Sequence, residues 1–530
     1  MSKFLHLLFA NLLCVLLLVA FVSTVSSTFA QSTLVRSQTV RPHPVNLDFE
    51  QESGSAQTPD GWDLPTKTNY AVELTDVQPK SGKRAALLRS VPTTEAGSAF
   101  GNLMQAIDAT PFRGKRVRLR GAVRMESNEF ARAQLWLRVN RAGNQMGFFD
   151  NMSERPITSG EWQYYEIIGD VDNDASILNI GMLLMGRGKA WLDDVSLEDL
   201  GTLIVRAEPA RPLTDRGLQN VVAFTRLLGY VRHFHPSDEA STTNWDTFAI
   251  EGMSIVESAK NATDLAQKLE QIFQPVGPTI RVFPTNKRPQ PPGALKSSQG
   301  DPPLRAVSWK HAGFGQKGRQ GNIYRSERVW REVPRAAPAA KPDEPFLANL
   351  GGGVSSIVPM TLLGDAKGTL PHATAPVTES KPSLVKYSGN DRATRLADVA
   401  LAWNILQHFY PYFDVVQADW GRTLETALMS AANDTDEKAF LNTMRRMVAK
   451  LHDGHGGVYQ GASGGFTIPV IFGWVEGRMV VTDVAAAGAE GLQTGDIVGK
   501  VNGTPIDKLL VEREALISGA TPQWRRHIAL

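Results

Sequence analysis

Two stretches of this chain repeat one plan 175 residues apart, and that repeat constrains the fold more than any other feature. In the first, Val221, Phe224, Leu228 and Val231 fall on one helical face, His233-Phe234-His235-Pro236 closes the run, and Trp245 precedes a second helical run to about Phe273. In the second, Leu396, Val399, Trp403 and Leu406 form the stripe, His408-Phe409-Tyr410-Pro411 closes it, and Trp420 follows. A constant offset from Val221 through Trp245 is the mark of an internal duplication. Thr214 or Asp215, and later Thr435-Asp436, are expected to cap the helices. The copies differ at their ends. The second closes in Leu451 to Val458, Leu-His-Asp-Gly-His-Gly-Gly-Val, whereas the first closes in Gln274-Pro275-Val276-Gly277-Pro278, which has no ionisable group. His233 and His235 are expected to pack and cap, because two alternate histidines beside a proline lack a third ligand for a metal.

At 530 residues the chain has room for about three domains at roughly 100 to 200 residues each. The whole is expected to be multidomain α+β: an N-terminal β-sandwich, the duplicated helical module with a β-containing insert, and a small module after it. Basic and acidic side chains number 56 and 54, so no charge imbalance points to nucleic acid. Lys3, the apolar run Phe4 to Val22 and Thr28-Phe29-Ala30 before Gln31 read as a cleaved secretory signal over residues 1–30. A membrane partner would follow only if that run stayed uncleaved as an anchor. The single cysteine, Cys14, lies inside the run, so the mature chain has neither a disulfide nor a thiol nucleophile, and a secreted or periplasmic location is expected.

Residues 41–200 alternate in short segments punctuated by Gly, Asn, Asp and Pro, with strands expected at 116–123, 133–139, 162–168 and 177–184. Asn46-Leu47-Asp48-Phe49-Glu50, then Pro59-Asp60-Gly61-Trp62, and finally Ala190 to Leu197 resemble the end strands of carbohydrate-binding-like jelly rolls. That resemblance implies paired end strands, a glycan partner, and a structural calcium for which Glu50 and Asp194 are the candidates. The two helical copies are expected at 211–275 and 386–460. Between them, 276–385 is rich in Pro and Gly yet keeps strand-like Val307-Ser308-Trp309 and Val329-Trp330, so a loosely specified insert is expected.

From Phe466 onward the pattern is strand, turn, strand, followed by Gly491-Leu492-Gln493-Thr494-Gly495-Asp496-Ile497-Val498-Gly499-Lys500-Val501-Asn502-Gly503. This resembles the signature of PDZ domains, expected over 461–518, with Ile497, Val498 and Val501 in its core. Gly464, Gly465 and Phe466 match that family's carboxylate-cradling loop, which implies a polypeptide or peptide-terminus partner. A helical module ending in Asp-Gly-His before such a domain resembles the tail-specific serine peptidases and their tricorn-like branch. The resemblance implies His455 as general base, Asp453 as its orienter, no required cofactor, and a serine supplied by a further domain that 519–530 would begin. Gly461-Ala462-Ser463-Gly464-Gly465 fits Gly-x-Ser-x-Gly but lacks the strand before and helix after that such an elbow needs. His452, Asp453 and His455 crowd one loop without a distant third ligand, which weighs against a metal hydrolase. The expectation is a secreted or periplasmic serine-type peptidase homologue, inactive alone; the alternative is a non-catalytic peptide- and glycan-binding envelope protein.

Overall fold

The computed structural model describes residues 39–54, 58–65, 69–92, 100–127, 131–153, 155–289, 304–314, 324–332, 346–372, 383–459, 468–485 and 491–530. Its first unit is a sandwich. The strands are β1 (Tyr70–Thr75), β2 (Ala85–Ser90), β3 (Phe100–Asp108), β4 (Lys115–Ser127), β5 (Arg132–Arg141), β6 (Met146–Asp150), β7 (Gln163–Asp170), β8 (Ala175–Met185) and β9 (Gly188–Thr202). One sheet runs Val40–Arg41, β3, β8, β5, β6; the other runs β7, β4, β9, β2, β1. Alternate residues fill the space between them: Leu135, Leu137 and Val139 of β5 and Leu178, Ile180 and Met182 of β8 meet Val117, Leu119 and Val123 of β4.

The segment expected as the first strand is instead a turn. Asn46 and Phe49 take positive φ, the Asn46 side chain bonds the Gln51 and Asp60 carbonyls, and only Leu47 O, accepting from Val195 N at 2.9 Å, reaches the last strand. The Asn46 amide closes this turn in place of a ladder.

The longer helices that follow are α1 (Asp215–Phe234), α2 (Trp245–Glu257), α3 (Ala262–Phe273), α4 (Arg392–Phe409), α5 (Trp420–Asn433) and α6 (Glu437–Ala449). Thr214 caps α1 by accepting from Gly217 N at 2.9 Å, and Asp436 caps α6 by accepting from Ala439 N at 2.8 Å. All six contribute to one apolar core. α1 and α4 approach closely at Gly229, where a Cβ would lie 2.0 Å from Asn404 Oδ1. Trp403 and Trp420 stack 6.4 Å apart, each donating its indole N–H to the other's carbonyl.

A buried ion pair ties the two triplets together. Arg392, 1 % exposed, grips Glu257 with two bonds of 2.8 and 2.9 Å and donates through Nε to Arg211 O. Burial pushes the Glu257 carboxyl up, but Arg392 and Arg211 hold it below its ordinary value.

The described residues of the insert form two sheets. β10 (Arg281–Pro284), β13 (Phe346–Gly351) and β14 (Val354–Val358) make one sheet, and β11 (Arg305–Ala312), β12 (Arg325–Glu332) and β15 (Thr361–Asp365) belong to a second. Val354 and Val358 enter the helical core. On β11, His311 Nε2 lies 2.7 Å from His233 O, and Trp309 Nε1 donates to His235 O.

Here the chain builds a histidine and phenylalanine nest in which His233, His311 and His408 pack edge-on against Phe234 and Phe409. Burial pushes His233 down to about 2, His235 to about 3 and His408 to about 4.

The last segment departs from expectation. β16 (Val470–Val475) and β17 (Arg478–Val484) form a two-stranded sheet, Val480 of β17 bridges to Ile497, and Lys500–Val501 with Thr504–Pro505 form a two-residue ladder. The expected core of Ile497, Val498 and Val501 does not form: Ile497 is 56 % and Val501 42 % exposed. What the signature specifies here is a turn, with Gln493 N donating to Asp496 Oδ2 and Gly491 and Gly495 at positive φ. Helices α7 (Ile506–Glu514) and α8 (Pro522–Ala529) follow.

Two outcomes test this packing. Arg392→Ala leaves Glu257 buried with only Arg211 beside it, and urea unfolding should report a loss of roughly 3–5 kcal/mol. The nest sets a pH dependence. Its imidazoles stay neutral when folded but titrate near 6.5 when unfolded, so their stabilisation is complete above that pH and is lost as pH falls toward the folded values. Unfolding free energy should drop below pH 6.5 by roughly 1.4 kcal/mol per pH unit per histidine, and His233→Phe should flatten the slope.

Candidate functional site

The alternation that sends Leu135, Leu137 and Val139 inward sends Gln134, Trp136, Arg138 and Asn140 to the opposite face of the first sheet. Register then sets their neighbours. On β8, Leu183 lies opposite Gln134 and Asn102, Gly181 opposite Trp136 and Met104, and Asn179 opposite Arg138 and Ala106. Phe149 of β6, 47 % exposed, stands opposite Arg138 at the rim. The face is therefore a field of planar polar groups around one indole.

Two features mark it as more than a solvated surface. Trp136 is 7 % exposed and donates Nε1–H to Asn102 Oδ1 at 3.0 Å. Its bed is Gly181, where a Cβ would come within 2.8 Å of the indole nitrogen and 2.2 Å of Leu103 O. Beside it, Gln134 Oε1, Arg138 Nε, Asn140 Oδ1 and Asn179 Oδ1 are each shielded from solvent without a hydrogen-bond partner among the described residues. Natural proteins hydrogen-bond the large majority of such groups, so four on one face of one sheet call for an explanation. Chemically the face offers amide and guanidinium donors and acceptors in fixed planes, with an aromatic plate between them.

The outer face of the second sheet is closed on itself. Arg124 stacks 4.0 Å over Trp191 and donates to Val77 O, while Arg120 lies 3.5 Å over Tyr164. The carboxylate buried there is Asp193, not Asp194. Asp193 is fully buried and accepts from Lys80 N and Ser81 N at 2.8 Å; desolvation pushes it up, against those amides. Asp194 sits at a bulge and accepts from the Tyr164 hydroxyl. Glu50 Oε1 accepts from Lys83 N and Arg84 N at 2.6 and 3.0 Å. Both carboxylates thus face N–H or O–H donors. Among the described residues no group of three or more His, Cys, Asp or Glu is placed to hold a metal ion.

Asp453 and His455 do meet. His455 Nδ1 lies 3.0 Å from Asp453 Oδ1, whose backbone N–H is held by Ser518 Oγ. Burial pushes the Asp453 carboxyl up, and the His455 amide and ring and the Tyr410 hydroxyl outweigh it and hold it below its ordinary value. The His455 ring is fully exposed, so nothing shields a reacting group beside it. Gly464, Gly465 and Phe466, with Ser463, lie outside the described residues.

No family model matches the chain. A curated relative, an uncharacterized HTH-type transcriptional regulator (YbfP) of Bacillus subtilis strain 168, is 31 % identical over 156 residues, covering 28 % of this chain and 52 % of that protein. The chain thus spans about half the length of this relative. Among solved structures, the CBM22-1 xylan-binding domain of Paenibacillus barcinonensis Xyn10C is 18 % identical, with 30 % of this chain and 97 % of that domain covered at a TM-score of 0.22. The C-terminal family 22 module of Clostridium thermocellum Xyn10B is 12 % identical, covering 31 % and 99 % at 0.23. TmCBM61, in complex with β-1,4-galactotriose, is 17 % identical, covering 30 % and 99 % at 0.22. Scores at this level carry no argument about what this chain binds.

These findings overturn the resemblance to tail-specific serine peptidases. The curated relative is named as a transcriptional regulator, and no family model of a peptidase or PDZ domain matches the chain. The packing agrees, since Ile497 and Val501 of the expected PDZ core are exposed.

The residues that make up the sandwich face were in view only as a strand at 133–139. The signal was the alternation itself: apolar residues inward, and Gln134, Trp136, Arg138 and Asn140 on the other side. Gly181→Ala should push β8 from β3 and lift the indole, with a stability loss of about 1–3 kcal/mol and a changed near-ultraviolet circular dichroism band.

Proposed function

We propose that this chain is a non-catalytic glycan-binding protein whose sandwich holds a neutral sugar chain on the face formed by β3, β8 and β5. The observation that carries this reading is the set of shielded groups without a hydrogen-bond partner among the described residues, Gln134 Oε1, Arg138 Nε, Asn140 Oδ1 and Asn179 Oδ1, arranged around Trp136. Sugar hydroxyls both donate and accept, so one ring can satisfy amides and a guanidinium together. The C–H face of a pyranose is apolar and lies flat on an indole. Three of the four partnerless groups are neutral, which favours an uncharged ligand over an acidic one. Binding of this kind needs no metal.

The amino-terminal apolar run, as a secretory signal, would carry the protein into the envelope or beyond, where polysaccharides are met. We take the two helix triplets, α1 to α3 and α4 to α6, whose second helices start at Trp245 and Trp420 and third at Ala262 and Glu437, as copies of one scaffold module that supports the sandwich. Peptide binding finds no support and is not part of this reading.

Affinity electrophoresis and calorimetry against neutral β-linked polysaccharides, xylan and galactan among them, test it. At least one should bind, and Asn179→Ala should weaken that binding about tenfold, roughly 1.4 kcal/mol. The same substitution removes a shielded amide that costs about 1–3 kcal/mol, so the melting temperature should hold or rise. Failure of every neutral glycan to bind, or equal binding by the variant, sinks the reading.

A further inference from the structure

The chain's last helices enclose a cleft that glycan binding does not use. α5 and α6 form one wall, and α7 and α8 with the loop between them form the other, around about 640 Å³. That volume falls in the range of small-molecule sites. Arg422 of α5, Arg446 and Lys450 at the end of α6, and Arg525 of α8 line it. Arg446 and Lys450 stand four residues apart and share one helix face.

The acids that line the cleft are already engaged. Asp419 Oδ1 caps α5 by accepting from Arg422 N at 2.9 Å, and Glu514 is paired with Arg526. Among the described residues, none of the four cations has a carboxylate within ion-pair distance, although Asp434 lies near enough to feel the charge of Arg446. Like charges gathered in a concave, partly apolar site repel one another and focus a positive potential into it. An anion relieves both.

The backbone adds a second observation. Two lining residues, Gln417 and His452, hold left-handed φ values of 51° although neither is glycine, and such conformations collect where a ligand is gripped. Burial, with Arg525 and Lys450 nearby, pushes His452 below its ordinary value, so the ring is neutral and can donate a hydrogen bond without adding to the repulsion.

We propose that this cleft binds a small, multiply charged oxyanion, a phosphate or a polycarboxylate, between Arg422, Arg446, Lys450 and Arg525. Carboxylate and phosphate share the chemistry those groups recognise, planar or tetrahedral oxygens that take forked arginine bonds and a point charge from lysine.

The test is calorimetric titration of the full chain with pyrophosphate and, separately, with citrate, at low salt and again with 0.2 M sodium chloride added, on the order of physiological screening. A saturable one-to-one isotherm is expected for at least one, weakened by salt; the tighter of the two assigns phosphate or carboxylate. The double variant Arg446→Gln, Lys450→Gln should bind about tenfold or more weakly while its melting curve and its polysaccharide binding stay unchanged, because both side chains are exposed. Arg422→Glu, also at an exposed position, provides an independent variant with the same expectation. Unsaturable heats for both anions, or isotherms that the variants leave intact, overturn the proposal.

Discussion

A strand inside a two-layer sandwich has only one face to give to the core. In β5 and β8 that face is spent on Leu135, Leu137, Val139, Leu178, Ile180 and Met182, and everything the first sheet can do chemically has to happen on the other side. Because the side-chain period is two, the register that buries the first set fixes the second to the ångström: Trp136 against Gly181, Arg138 against Asn179. A one-residue slip of β5 would bury Arg138 and expose Leu137. The apolar core is thus what holds the polar face in position, and it can tolerate partnerless amides there because the driving force lies in the opposite layer.

The helical half depends on a different device. Arg392 and Glu257 remove a full charge pair from water, a choice that rarely raises stability over an apolar pair but permits one geometry only. With Arg211 on the same carboxylate, the pair fixes the end of α2 to the start of α4, and Asn404 and Gly229 set the crossing of α1 and α4. The strands of the insert then close over this crossing, and the histidine nest forms where β11 lies against the ends of α1 and α4. Sandwich and helices so present two surfaces of different character, a planar polar face and a cationic cleft.

Much of the architecture was legible because periodicity is a local signal. The strands at 133–139 and 177–184, the helix stripes at Val221 and Leu396, and the caps Thr214 and Asp436 all lie where the pattern put them. Turn chemistry misled. The glycines and Asp496 of the last segment specify a bend wherever they occur, whether or not a domain core forms behind it, and here Ile497 and Val501 are exposed. That Asp193 is buried and Asp194 is not follows from a bulge that leaves no trace in spacing.

By itself the sequence determined which residues share a face, since alternation and helical period follow from backbone geometry alone. It could bring Asp453 and His455 together because two residues of separation already do so. It could not place Asn179 beside Arg138, or Arg422 and Arg446 around one cleft with Arg525, because those neighbours are set by strand register and helix docking over long separations. Nor could it show that four polar atoms of one strand pair lack partners among the described residues. Partnership is a property of the packed chain, and only the tertiary structure decides which groups remain for a ligand.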